Sequence, residues 1–131
     1  MAFSRGRTIV FGSLGASIDY PLRRPFVLLV PAYDEEEKQQ VEAVAEGLVE
    51  LGCVEFCFVG PRAEEFHDFI DQIVESKGAF EVVTTWHTDV SDACDYFLFA
   101  AGGRSATLLA LVCRHRDLLE PLEEEVRRSR Q

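Results

Sequence analysis

The chain has 131 residues, of which 47% are hydrophobic and 27% charged, and it carries a net charge of −10. That length suits one domain with a core large enough to need no disulfide staples, and the apolar content excludes a disordered polymer. No apolar run approaches the roughly 20 residues of a membrane span, and the acidic balance excludes a nucleic-acid backbone as the main partner.

The charge is uneven. In residues 1–24, Arg5, Arg7, Arg23 and Arg24 stand against Asp19, a balance of +3 that leaves −13 on the remainder. The division at this point separates an N-terminal arm or extra strand, 1–24, from an α/β domain, 25–131. After the first arginines the apolar run is only Ile9-Val10-Phe11, too short for a secretory leader core. Thr8-Ile9-Val10-Phe11 has the composition of a short extra strand. Gly12-Ser13-Leu14-Gly15 follows it, like the start of a dinucleotide-binding turn. That motif requires a helix and a second strand after the glycines, and here Pro21 interrupts the few residues available. A turn or arm packed on the sheet is expected instead, with Tyr20 to Pro25 extended.

Phe26-Val27-Leu28-Leu29-Val30 is apolar throughout and bracketed by Pro25 and Pro31. It has no polar face, so it reads as a strand covered on both sides at the centre of a parallel sheet. Asp34 then caps a helix, with Glu37 placed for a capping-box variant and acids in the first turn to suit the helix dipole. Val41, Val44, Ala45, Leu48 and Val49 mark its inner face, and Gly52 ends it. Cys53 to Val59 is the second strand, closed by Gly60-Pro61.

Arg62 to Lys77 is the second helix. Phe66, Phe69, Ile70, Ile73 and Val74 form its apolar stripe, and Gly78 follows its end. Phe80 to Trp86 is the third strand. Tyr96-Phe97-Leu98-Phe99 has strand composition, but Val90, Ala93, Cys94, Phe97, Leu98 and Ala101 share one helical face. A third helix is therefore expected, capped by Thr88 or Asp89 and stopped at Gly102-Gly103. Thr107 to Cys113 is the fourth strand. Asp117 to Arg130 is the last helix, with Pro121 distorting its first turns.

The order βαβαβαβα predicts a single-domain three-layer α/β sandwich. Its sheet has four parallel strands, right-handed crossovers and an optional N-terminal strand. A flavodoxin-like order 2-1-3-4 and a Rossmann-like order 3-2-1-4 both satisfy the pattern.

In such sheets ligands bind beyond the carboxyl ends of the strands. The first strand ends at Tyr33 and Asp34, the second at Gly60 to Arg62, the third at Thr84 to Asp89, and the fourth at Arg114, His115 and Arg116. The third end has the most varied chemistry. Thr85 offers a hydroxyl, Trp86 a flat apolar face and His87 a group that titrates near neutrality. If the protein is an enzyme, His87, Asp34 and Asp89 are the expected catalytic groups, with Trp86, Thr85, Arg62 and Arg116 binding the ligand. Asp34 faces His87 only in the 2-1-3-4 order. A local Ser91–His87–Asp89 triad is excluded because near neighbours do not reach triad geometry.

No metal or cofactor is expected. His67 and Asp71 lie one helical turn apart but need a third ligand, so they read as a surface pair. There is no P-loop. Cys53, Cys57, Cys94 and Cys113 fall in apolar stretches and read as buried thiols of a reducing cytoplasm. Cys113 is followed by Arg114-His115-Arg116, which would favour its thiolate, but a core-facing strand position is the expected one. Glu42, Glu46 and Glu50 line one face of the first helix, either solvated or docked on a basic partner.

The runs from Gly52-Cys53-Val54 to Gly60-Pro61, His67-Asp68 with Asp71, and Thr85-Trp86-His87 resemble an uncharacterised bacterial family of small Rossmann-like α/β proteins. The resemblance implies one domain in the bacterial cytoplasm and no particular activity. The expected function is a non-enzymatic acidic binding module: an adaptor, regulator or immunity-type protein. It would dock a basic protein through Glu42, Glu46 and Glu50. The alternative is a small nucleotide- or anion-binding enzyme with its site at the strand ends.

Overall fold

A computed structural model describes residues 2–4, 6–15, 24–79, 81–103 and 106–129. Ten elements follow one another: β1 (Ala2–Ser4), β2 (Arg7–Phe11), β3 (Phe26–Pro31), α1 (Glu35–Leu51), β4 (Cys53–Val59), α2 (Ala63–Ser76), β5 (Val83–His87), α3 (Val90–Phe99), β6 (Thr107–Ala110) and α4 (Arg116–Ser129). They form one 6-stranded sheet in the order β1-β2-β6-β3-β4-β5. β1 pairs antiparallel with β2, and every other pairing is parallel. The extra N-terminal strand is thus present as β2, an interior strand that continues the parallel sheet.

β3 lies between β6 and β4, and every residue from Phe26 to Pro31 is buried. Its two faces feed two cores. Phe26, Leu28 and Val30 pack with Phe56, Phe58, Phe66 and Ile70 under α1 and α2. Val27 and Leu29 pack with Val59, Phe97, Leu108 and Leu118 under α3 and α4. An unbroken apolar strand needs cover on both sides, and this arrangement supplies it.

Among the four anticipated strands the order is 3-2-1-4, so the 2-1-3-4 alternative is set aside. The third strand, β5, is also not central. It is the sheet edge, with Val83 and Trp86 exposed. Its threonines, tryptophan and histidine suit a half-wet edge better than a covered interior.

Helix ends follow local chemistry. The Asp34 carboxylate accepts the Glu37 N–H at 2.9 Å, and the Asp89 carboxylate accepts that of Asp92 at 2.9 Å. Gly52 takes the left-handed conformation that closes α1. The expected capping box is altered: Glu37 reaches past Asp34 and accepts the Tyr33 N–H at 2.8 Å. α4 begins at Arg116 and runs through Pro121 as one helix, without the expected distortion. β6 is shorter than expected and ends at Ala110. Beyond it Leu111 still donates to Leu29, and Val112 bridges Ser13. Cys113 then leaves the sheet and is exposed, which corrects its expected core position. Most of Tyr20 to Pro25, and Phe80, lie outside the described residues.

Candidate functional site

The strand order creates a switch point. From β3 the chain moves through α1 to β4 and through α2 to β5, on one face of the sheet. It then crosses back through α3 to β6, on the other side of β3. The connections leaving β3 and β6 therefore part to opposite faces, which opens a crevice at their carboxyl ends. A crevice of ≈ 210 Å³ lies at this place.

Leu14, Pro31 and Leu111 give it apolar surface, α1 contributes Glu36, Glu37 and Gln40 beside the cap Asp34, and the segment after β6 contributes Arg114 and His115. Leu14 arrives there because Gly12 to Gly15 runs beside the continuation of β6, with the Gly12 N–H on Ala110 O and the Cys113 N–H on Gly12 O. Gly15 has φ +88, and a Cβ there would lie 2.5 Å from Gln40 Nε2. The left-handed backbone there favours glycine, while the Gln40 amide is a flexible side-chain end that could move aside. The stretch acts as an arm packed on the sheet, as expected, and it also walls the crevice.

His115 Nε2 lies 2.6 Å from Glu37 Oε2, and both side chains are largely covered. The other Glu37 oxygen holds the Tyr33 N–H, so the carboxylate is fixed from two sides. The Tyr33 ring stacks on His115 at 4.5 Å between centroids. The Tyr33 hydroxyl donates to Asp117 at 3.4 Å. Burial first, and then the Asp117 charge, push the Tyr33 phenol up to about 12. The His115 carbonyl accepts from Leu118 and Leu119 and so starts α4. A carboxylate accepts, so in this contact the hydrogen lies on His115 Nε2.

A second polar cluster centres on a buried carboxyl group. Glu55 on β4 is 4% exposed. Its carboxylate accepts from Tyr96 Oη at 2.6 Å, Gly102 N at 3.0 Å, Thr85 Oγ1 at 3.2 Å and Cys57 Sγ at 3.6 Å. The Arg7 guanidinium, hydrogen-bonded to Ala101 O and Ala106 O, interacts electrostatically with it. Burial, and then Glu55, hold the Tyr96 phenol above its usual range, and the same two causes raise the Cys57 thiol well above 9.0. Each carboxylate oxygen has a donor, so this cluster reads as a structural clamp between β4, β5 and the end of α3.

Of the anticipated site residues, Asp34 lines the crevice. His87 does not meet it, because β4 stands between β3 and β5. Its ring lies 5.3 Å from Tyr96 instead. Asp89 caps α3, and Thr85 is committed to Glu55. Trp86 is on the open edge of the sheet. Arg62 bonds Glu65 and Glu35, which raises its pKa, and Arg116 pairs with Glu120 on the surface. His67 pairs with Asp68 at 2.9 Å rather than with Asp71, whose carboxylate accepts the Thr84 hydroxyl. No group of three His, Cys, Asp or Glu placed to hold a metal occurs among the described residues.

Glu42, Glu46 and Glu50 are all exposed on α1, and Lys77, which caps the C-terminus of α2, approaches Glu46 at 3.4 Å and Glu50 at 3.8 Å. Sequence reasoning placed Glu37 only as a helix cap and His115 only as one of several strand-end residues. Their pairing depends on which side of β3 the last strand takes.

The chain belongs to a family described as a domain of unknown function (DUF7684), whose match spans residues 13–128. Neither the curated proteins nor the solved structures compared with the chain gave a match. Among the described residues no helix is long and apolar enough to cross a membrane.

Proposed function

We propose that the protein binds a small polar molecule in the crevice between the carboxyl ends of β3 and β6. The observation that carries this is the coincidence of the switch point with an open crevice holding the Glu37–His115 pair. Open α/β sheets bind ligands at such a point. His115, oriented by Glu37 and Tyr33, is the group available to hydrogen-bond the ligand or to take a proton from it. Three buried thiols suit a reducing compartment, and a bacterial cytoplasm fits this reading. The test is an NMR screen of small metabolites against labelled protein. Shifts confined to Tyr33, Glu37, Leu111 and His115, lost in H115A, would support the site. Shifts that cluster at His87 and Trp86 instead would move it to the β5 edge.

A second reading, docking of a basic protein on α1, is favoured by the exposure of Glu42, Glu46 and Glu50 along one face. Lys77 offsets part of that charge. The E42Q/E46Q/E50Q protein should then lose capture of its partner while remaining folded. Unchanged capture would leave α1 as a solvated face.

A further inference from the structure

We infer that the crevice ligand is a small zwitterion, an α-amino acid with a short apolar side chain, held between Arg114 and the carboxylates of Asp34 and Glu36. The inference rests on the crevice being the binding site. Arg114 is the anomaly that starts it. Arg7 and Arg24 donate to backbone carbonyls, and Arg62, Arg116, Arg127 and Arg128 each pair with a glutamate. Arg114 has no hydrogen bond or ion pair among the described residues, although it shares a crevice with Asp34 and Glu36. Opposite charges thus line one cavity without closing on each other. A ligand with one charge of each sign bridges them.

Simpler ligands fit less well. A lone anion such as phosphate would meet three acids, Asp34, Glu36 and Glu37, and the Asp34 carboxylate already occupies the N–H of Glu37 at the start of α1. A lone cation would meet Arg114. The size agrees as well: at about 30 Å³ per water in the liquid, ≈ 210 Å³ holds a molecule of amino-acid dimensions. Ligand pockets for larger compounds begin at about 300 Å³. Leu14, Pro31 and Leu111 would take the apolar side chain. Arg114 would hold the carboxylate through two parallel N–H donors, and Asp34 and Glu36 would take the ammonium.

The experiment is a calorimetric and NMR titration of the full chain with the twenty amino acids. Isovalerate, isobutylamine, inorganic phosphate and a nucleoside serve as comparison probes. L-valine or a similar apolar amino acid should bind with shifts at Asp34, Leu111 and Arg114. Removing either ligand charge should weaken binding about ten- to a hundredfold, the loss of one charge-assisted hydrogen bond, and R114Q should do the same. Isovalerate binding as tightly as valine, or an R114Q protein that binds valine unchanged, overturns the zwitterion. If phosphate or the nucleoside shifts the crevice resonances and no amino acid does, the zwitterion fails while the crevice site stands. If no probe shifts them, both fall.

Discussion

The His115 imidazole and the Glu37 carboxylate meet at 2.6 Å across 78 residues of sequence. One closes the segment after β6 and the other belongs to the first turn of α1, so the contact ties the two walls of the crevice together. Glu37 is 12% exposed at its side chain and also holds the Tyr33 N–H. Replacing Glu37 with Ala should cost about 1–3 kcal/mol, the cost of leaving buried donors unpaired. A double-mutant cycle with H115A, read by urea unfolding, should give a coupling of about 0.5–3 kcal/mol. Strict additivity would mean that the pair does not interact in solution.

Glu55 is the buried charge on which the opposite face depends. E55A removes the acceptor of four donors. A loss of about 1–3 kcal/mol is expected, the cost of leaving covered donors unpaired. E55Q should cost less, because the amide still accepts from Tyr96. Equal unfolding midpoints for E55A and the parent chain would show that the cluster contributes nothing.

The thiols should divide sharply. Cys113 is exposed, whereas Cys53, Cys57 and Cys94 are buried. Burial is the first cause of raised values in all three, to about 12 for Cys53 and Cys94 against an ordinary 9.0. At pH 8 an alkylating reagent should modify one cysteine rapidly, and peptide mapping should place it at Cys113. Fast modification of Cys57 would contradict the burial.

The same shifts set an alkaline limit. A thiol whose folded pKa lies above its unfolded value stays neutral in the folded state and ionises first in the unfolded chain. Its contribution is complete below pH 9 and is lost as pH rises toward 12. The Tyr33 phenol, raised from 10.0 to about 12, adds in the same direction. Unfolding midpoints should therefore fall steadily above pH 9. A flat profile between pH 9 and 11 would mean that these groups are exposed.

Gly102 offers a backbone test of the clamp. It has φ +67, its N–H donates to Glu55, and a Cβ there would run into the Val27 side chain. G102A should lower stability by more than about 1 kcal/mol. Gly103 has φ +76 with open space around it, so G103A carries only the conformational penalty and is the milder change. Equal effects would show that the contact with Val27 is easily relieved.

β3 is legible because a strand covered on both faces has no polar position. Helix boundaries were legible where one residue sets them, at Asp34, Gly52 and Asp89. The end of β6 is not legible because Leu111 and Val112 are as apolar as the strand and still bond to Leu29 and Ser13, while the turn that exposes Cys113 follows at once. The site was harder. Hydrophobic pattern counts strands without saying on which side of β3 the fourth one inserts, and that choice decides whether Asp34 faces His87 or His115. Glu55 was passed over because a single acid in an apolar strand looks like an outward-facing residue. Its burial depends on Tyr96 and Gly102, which only the folded chain brings to it.

The place of β6 has a consequence for how the chain comes off the ribosome. The β1–β2 hairpin is joined to the rest of the sheet through β6 alone, with Ile9 and Val27 both registered on Leu108. Until β6 has been synthesised, β1 and β2 lack the strand that joins them to β3. Meanwhile β3 carries an open apolar edge while β4 and β5 assemble on its far side. The last strand to appear is the one that closes the sheet. Contacts this distant in sequence form slowly. A chain that pairs β3 with β4 before β6 is made would expose an unpaired edge of Val27, Leu28 and Leu29 to other chains.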